Sequence, residues 1–154
     1  MILLAIDPGT TESAYVVWNG KNIIEFGKCE NEDVVHWMDG NYDQAVIEQV
    51  RSYGMAVGAS VFDTVFWSGR FYERLTEAYG VETHMLPRMA VKMALCHSPR
   101  AKDANIMQAL IDRFAPNTRN RGKGVKSDRG FFYGFHSDIW AAMALAVTFY
   151  DQRG

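Results

Sequence analysis

The sequence predicts an α/β protein built on a mixed five-stranded sheet flanked by helices, and three observations predict it. Short apolar runs of strand length at residues 2–6, 44–48 and 81–86 are separated by stretches with helical patterning. Asn19-Gly20 stands between two further strand-like runs and is a strong hairpin signal. The chain has 154 residues, 48% hydrophobic and 22% charged, the make-up of one ordinary globular domain spanning 1–154.

Taken in order, residues 2–6 read as a buried strand that ends on Asp7. Residues 13–18 and 22–29 read as the second and third strands of an antiparallel meander turned at Asn19-Gly20. Residues 31–38 suit a short helix with Asn31 as its cap. The fourth strand, 44–48, also ends on an acid, Glu48. Residues 55–79 read as helical, although Gly58 and Gly69 interrupt the pattern. The fifth strand, 81–86, is stopped by Pro87, and helices follow at 88–95 and 101–114. Pro116, Gly122, Gly124 and Gly130 make 116–130 a loop. Residues 137–150, rich in Ala, Met, Leu and Val, close the chain as a helix. Strands reached through helices are expected to run parallel.

The net charge of −2 is unevenly spread. Residues 1–112 hold nine Lys/Arg against fifteen Asp/Glu, whereas 113–129 hold six Lys/Arg against Asp128 alone. A basic segment on a mildly acidic chain suggests one place of contact with an anionic partner, or else simply a solvated loop. The apolar run at 2–6 is too short for a signal peptide or a membrane span. Cys29 and Cys96 have neither zinc spacing nor a disulfide framework, so reduced thiols in a cytoplasmic setting are expected. Met85, Met89, Met93, Met107 and Met143 read as core filling, and His84 and His97 are isolated.

Three acids carry the chemistry: Asp7 at the end of the first strand, Glu48 at the end of the fourth, and Asp138 opening the last helix. If the first and fourth strands are parallel neighbours, Asp7 and Glu48 lie side by side, and the last helix can bring Asp138 to them. Gathered carboxylates repel one another unless cations intervene. Oxygen ligands with few imidazoles or thiols suit Mg²⁺ or Mn²⁺. Two such ions, about 4 Å apart, would support phosphodiester hydrolysis. Gly9 permits a sharp turn that leaves room for a phosphate, within reach of Thr10 or Thr11. Separately, Asp7 fits an ordinary turn, Glu48 a strand-end charge, and Asp138 a helix N-terminal acid.

Ala5-Ile6-Asp7-Pro8-Gly9, Val46-Ile47-Glu48-Gln49-Val50 and Asp138-Ile139-Trp140-Ala141-Ala142-Met143-Ala144-Leu145 stand in that order along the chain. Between the last two lie Leu86-Pro87-Arg88-Met89-Ala90-Val91-Lys92 and Arg100-Ala101-Lys102-Asp103-Ala104-Asn105. In these motifs the sequence resembles the RuvC-type Holliday-junction resolvases of the ribonuclease H-like superfamily, in their short phage and prophage versions. The resemblance spans essentially the whole chain. It implies a ribonuclease H-like fold and a magnesium-dependent, homodimeric endonuclease cutting branched DNA. It assigns Asp7, Glu48 and Asp138 to the metal, and Lys92 and Lys102 to the DNA backbone near the cut, with Lys102 in a catalytic part.

The family usually places an acid or histidine three residues before its final aspartate. This chain has Phe135 there, with His136 the nearest candidate metal ligand and Asp128 a poorer one. Where the family tends to carry an aromatic residue after its central glutamate, this chain has Arg51, with Tyr53 two residues on as a candidate for stacking on a base. Arg119, Arg121, Lys123 and Lys126 are expected to clamp phosphates. Val57, Val61, Phe62, Val65, Phe66, Phe71 and Tyr72 are more large apolar groups than one sheet face needs. The segment 55–79 is therefore the expected dimer interface, unless all of them face their own sheet.

Competing readings are a two-domain actin-like ATPase or sugar kinase, which needs a longer chain, a ribonuclease H-like nuclease processing ribosomal RNA, and a catalytically silent junction-binding dimer.

Overall fold

The computed structural model describes residues 1–153. Five strands, β1 (Leu3–Asp7), β2 (Glu12–Trp18), β3 (Ile23–Glu30), β4 (Gln44–Gln49) and β5 (Glu82–Pro87), form one sheet in the order β3-β2-β1-β4-β5. The first three are antiparallel, while β4 runs parallel to both β1 and β5. This is the expected mixed sheet, three antiparallel strands with two parallel ones. Asn19 closes the β2–β3 turn by accepting the Lys21 and Asn22 amides on its side-chain oxygen, and Gly20 takes φ +93°, open to glycine at no steric cost.

Helices cover both faces, which is why β1 and β4 are apolar on both sides rather than alternating. On one face Leu3, Ala5, Ala14, Val16 and Val46 pack under α3 (Arg88–Cys96), α4 (Asp103–Phe114) and α5 (Ile139–Arg153). On the other, Leu4, Ile6, Val17 and Ile47 meet α1 (Asn31–Trp37) and α2 (Ala59–Glu73). The helix α5 is buried almost all round from Ile139 to Phe149, as expected for a helix without a polar stripe. Its run of alanines allows close approach to β1 and β2. None of the described helices is long and apolar enough to cross a membrane.

The structure departs from the sequence expectations at identifiable places. The helix expected over 55–79 begins only at Ala59, after Gly54 (φ +82°) and the Gly58 cap, and ends in a π-helical turn, Arg74–Ala78. Residues 51–58 are exposed and lack regular structure. Asn31 does not cap α1: Glu30 holds that position, and the Asn31 side chain is drawn inward to Ser13 and Gly9. The expected loop at 116–130 is a compact series of turns with a two-residue ladder, β6 (Gly124–Val125) against β7 (Asp128–Arg129). It is anchored by the Phe132 amide donating to the Gly122 carbonyl at 3.0 Å. Glycine composition signals the turns, but this anchoring to a buried phenylalanine is tertiary.

Candidate active site

The site lies at the carboxyl ends of β1 and β4. Their parallel register pairs Ile6 with Ile47, so the next residues, Asp7 and Glu48, stand side by side. Across the antiparallel half of the sheet, Asp7 is level with Ala14, and Ala14 with Lys28. Residues opposite one another in a sheet share a face. Lys28, Asp7 and Glu48 therefore form one rank on the face covered by α5, with only the Ala14 methyl between Lys28 and Asp7.

The turn after β1 is braced from within. The Ser13 hydroxyl donates to the Asn31 side-chain oxygen at 2.5 Å and accepts the Gly9 amide at 3.1 Å. The Asn31 amide group donates to the Gly9 carbonyl at 3.0 Å. Ser13 and Asn31 are both about 1% exposed, so these partners replace water completely. A Cβ on Gly9 would stand 2.2 Å from the Glu12 carbonyl oxygen. Gly9 is thus required by the turn's own closeness, where the sequence suggested room for a phosphate.

Burial pushes the Asp7 carboxyl up to about 9, and the neighbouring Glu48, through its charge and a hydrogen bond, and then Asp138 push the same way. Arg88, the first residue of α3, opposes them only in part. Its guanidinium donates to Glu48 at 3.4 Å and pairs with Asp103 at the start of α4. The third acid behaves differently. Asp138 stands just before α5, and its carbonyl accepts the Ala142 amide at 3.0 Å. Its carboxylate turns to Lys28 Nζ at 3.1 Å, and the same ammonium donates to the Ser137 hydroxyl at 3.1 Å. Arg88, Asp103, Ser137 and Asp138 line a small cavity of about 60 Å³.

Among the described residues, no three His, Cys, Asp or Glu side chains converge closely enough to hold one ion together. The expected cluster of Asp7, Glu48, Asp138 and His136 is therefore resolved into an acid pair, a nearby third acid, and an exposed His136 with no side-chain partner among the described residues. Phe135 is about 1% exposed, with its ring 4.8 Å from Phe26 and 5.1 Å from Phe132 and from Trp140. It is a core residue. The donor set at Asp7 and Glu48 nonetheless fits a hard divalent cation: two adjacent carboxylates, one without a cationic partner of its own, are better satisfied by Mg²⁺ or Mn²⁺ than by a shared proton.

The other predicted contacts are dispersed. Lys102 is exposed immediately before α4, where its backbone amide donates to the Asn105 side chain at 2.9 Å. Lys92 is half-buried one turn after Arg88. Thr10 and Thr11 border a groove of about 420 Å³ with Glu12, Glu30 and Glu32, so they meet carboxylates rather than cations. Arg51 donates twice to the Gln49 side chain, at 2.9 and 3.1 Å. Tyr53 is 56% exposed on a left-handed backbone, beyond the end of β4. Arg119, Arg121 and Lys126 are exposed, whereas Lys123 donates to the Phe135 carbonyl at 3.3 Å and ties the basic turns to the approach to Asp138.

Arg88, Lys28, Ser13 and Asn31 were given no part in the site from sequence. Arg88 had a usable signal, because it follows the strand that pairs with β4, where Leu86 is level with Glu48. Lys28 and Asn31 had none, since their partners lie 110 and 22 residues away.

Over its full length the chain has the fold of RuvC. It is similar to the Thermus thermophilus RuvC structure with a TM-score of 0.66 and 17% identity, covering 100% of this chain and 97% of that one. It is likewise similar to T. thermophilus RuvC in complex with Holliday junction substrate, with a TM-score of 0.65, 17% identity, and 100% and 96% coverage. No family model and no curated protein matches the sequence.

Proposed function

We propose that this chain is a divalent-metal-dependent endonuclease that resolves four-way and other branched DNA as a homodimer. The observation that carries the reading is the Asp7–Glu48 pair, whose two carboxylates are held side by side at the ends of adjacent parallel strands. The likeness of the whole fold to a protein solved in complex with Holliday junction substrate supports it.

Each group has a definable part. Asp7 and Glu48 would hold the cation, and Arg88 keeps Glu48 oriented by bridging it to Asp103. The Ser13–Asn31 network keeps Asp7 in place by fixing the turn that follows it. When bound, Mg²⁺ or Mn²⁺ supplies Lewis-acid activation of water and stabilises charge on the phosphate. Lys102, capping α4, and Lys92, one turn after Arg88 on α3, would contact the DNA backbone. Arg119, Arg121 and Lys126, exposed on the turns that precede α5, would add phosphate contacts; such contacts position the nucleic acid without reading bases. Arg51 and Tyr53 are exposed beyond the end of β4, the strand that carries Glu48, and Tyr53 would stack on an unpaired base.

The dimer reading rests on α2. Phe71 faces its own sheet and is fully buried, while Phe62, Val65 and Phe66 are 67%, 49% and 60% exposed. Spaced three and four residues apart, these form one apolar stripe of the kind a second copy covers.

Cleavage of a synthetic four-way junction in Mg²⁺ and in Mn²⁺, with duplex, fork and RNA–DNA hybrid controls, tests the reading. Paired symmetric nicks in the junction, lost in Asp7→Asn with junction binding retained, are expected. Cutting confined to RNA-containing substrates would reassign the protein to RNA processing. Tight junction binding without any cutting would leave a silent binding protein.

A further inference from the structure

Each of two acids in the site already has a cation from the chain. Glu48 has Arg88 at 3.4 Å, and Asp138 has Lys28 at 3.1 Å. Asp7, half-buried beside Glu48, makes no ion pair among the described residues. The place three residues before Asp138, where an additional ligand would have to stand, is filled by Phe135 inside the aromatic core. Lys28 reaches Asp138 because it shares the rank of Asp7 across the sheet and the intervening residue is Ala14. A longer side chain at 14 would block that path. Ser137, at φ +51°, turns the chain into α5 and offers its hydroxyl to the same ammonium. Lys28 is thereby held by two groups at the entrance to the helix.

We infer that the centre takes one divalent ion, held by Asp7 with Glu48, and that Lys28 supplies at Asp138 the positive charge a second ion would otherwise bring. This rests on the metal-dependent reading of the site and revises the expectation of two ions. Mg²⁺ needs only one or two carboxylates when substrate phosphate completes its shell, so one ion on the acid pair is sufficient. Lys28 is a positioning residue here: it fixes where Asp138 points.

Counting bound Mn²⁺ per chain tests this on the 154-residue chain, by the electron paramagnetic resonance of the ion remaining free. The wild type should bind one ion at saturation, Lys28→Arg one, Lys28→Met two, and Asp7→Asn none. The Lys28–Asp138 pair is 22% and 58% exposed on its two sides. Such a pair adds little to stability, so the variants should fold. Two ions on the wild type would overturn the inference and leave the metal site standing. One ion on both the wild type and Lys28→Met would remove Lys28 from the explanation. No ion on the wild type would overturn the metal-dependent function itself. The wild-type count decides between these even if the methionine variant fails to fold.

Discussion

Asp7→Asn should stabilise the protein in the absence of metal, while removing the activity proposed for it. The substitution keeps the shape and can donate an amide hydrogen to Glu48, but it removes a charge that burial and two neighbouring acids disfavour. The folded protein binds the Asp7 proton more tightly than the unfolded chain does, because burial and the neighbouring acids raise the carboxyl from 3.8 to about 9. The stability Asp7 contributes is therefore complete below pH ~4 and is lost as pH rises toward ~9. At about 1.4 kcal/mol per pH unit, wild type should lose up to about 4 kcal/mol between pH 5 and pH 8 through this group alone. Relaxation of the site trims that to about 2–4 kcal/mol, or roughly 5–10 °C in Tm for a chain of this size. Thermal unfolding in chelator at both pH values reads it as the difference between wild type and variant. Added Mg²⁺ should then stabilise the wild type by about 2.7 kcal/mol at a hundredfold excess over Kd, seen as a rise in its Tm, and leave the variant unmoved. Parallel pH profiles and equal Mg²⁺ shifts in the two proteins would refute the reasoning and return Asp7 to an ordinary turn residue.

Three further outcomes are expected. Asn31→Ala, which orphans the buried Ser13 hydroxyl and the Gly9 carbonyl, should cost about 1–3 kcal/mol in urea unfolding and slow cleavage; unchanged stability would mean the turn holds itself. Lys126→Ala should weaken junction binding and shallow its salt dependence by about one unit with stability unchanged, whereas Lys123→Ala should also lower the Tm because it loses the Phe135 carbonyl; identical behaviour of the two would deny Lys123 its structural part. Phe66→Glu, on a side chain 60% exposed, should yield a folded monomer in sedimentation, and a dimer that survives it would move the interface off α2.

The sequence by itself determined the sheet and the places of the acids. Strand-length apolar runs, the Asn19-Gly20 turn and the helical spacers dictate three antiparallel strands followed by parallel ones, since hydrophobic periodicity and turn chemistry act locally. Asp7 and Glu48 could be paired on paper because parallel neighbours end on the same edge, and each acid closes the apolar run of its strand. Where local rules ran out, the element boundaries moved: α2 begins at Ala59 because Gly54 and Gly58 break the run before it. Tertiary structure alone decided what each polar side chain faces. Asn31 reads as a helix cap until Ser13 and the Gly9 carbonyl, brought in by the β2–β3 pairing, offer it better partners. Phe135 reads as a missing ligand until the three aromatic rings packed around it, Phe26, Phe132 and Trp140, reveal a core position. Asp138 reads as a third member of one acid cluster, yet it turns to Lys28, which the sheet sets level with Asp7 across the one intervening strand β2. Such choices depend on the competition for partners at a point in space, and sequence separation carries no information about who the competitors are.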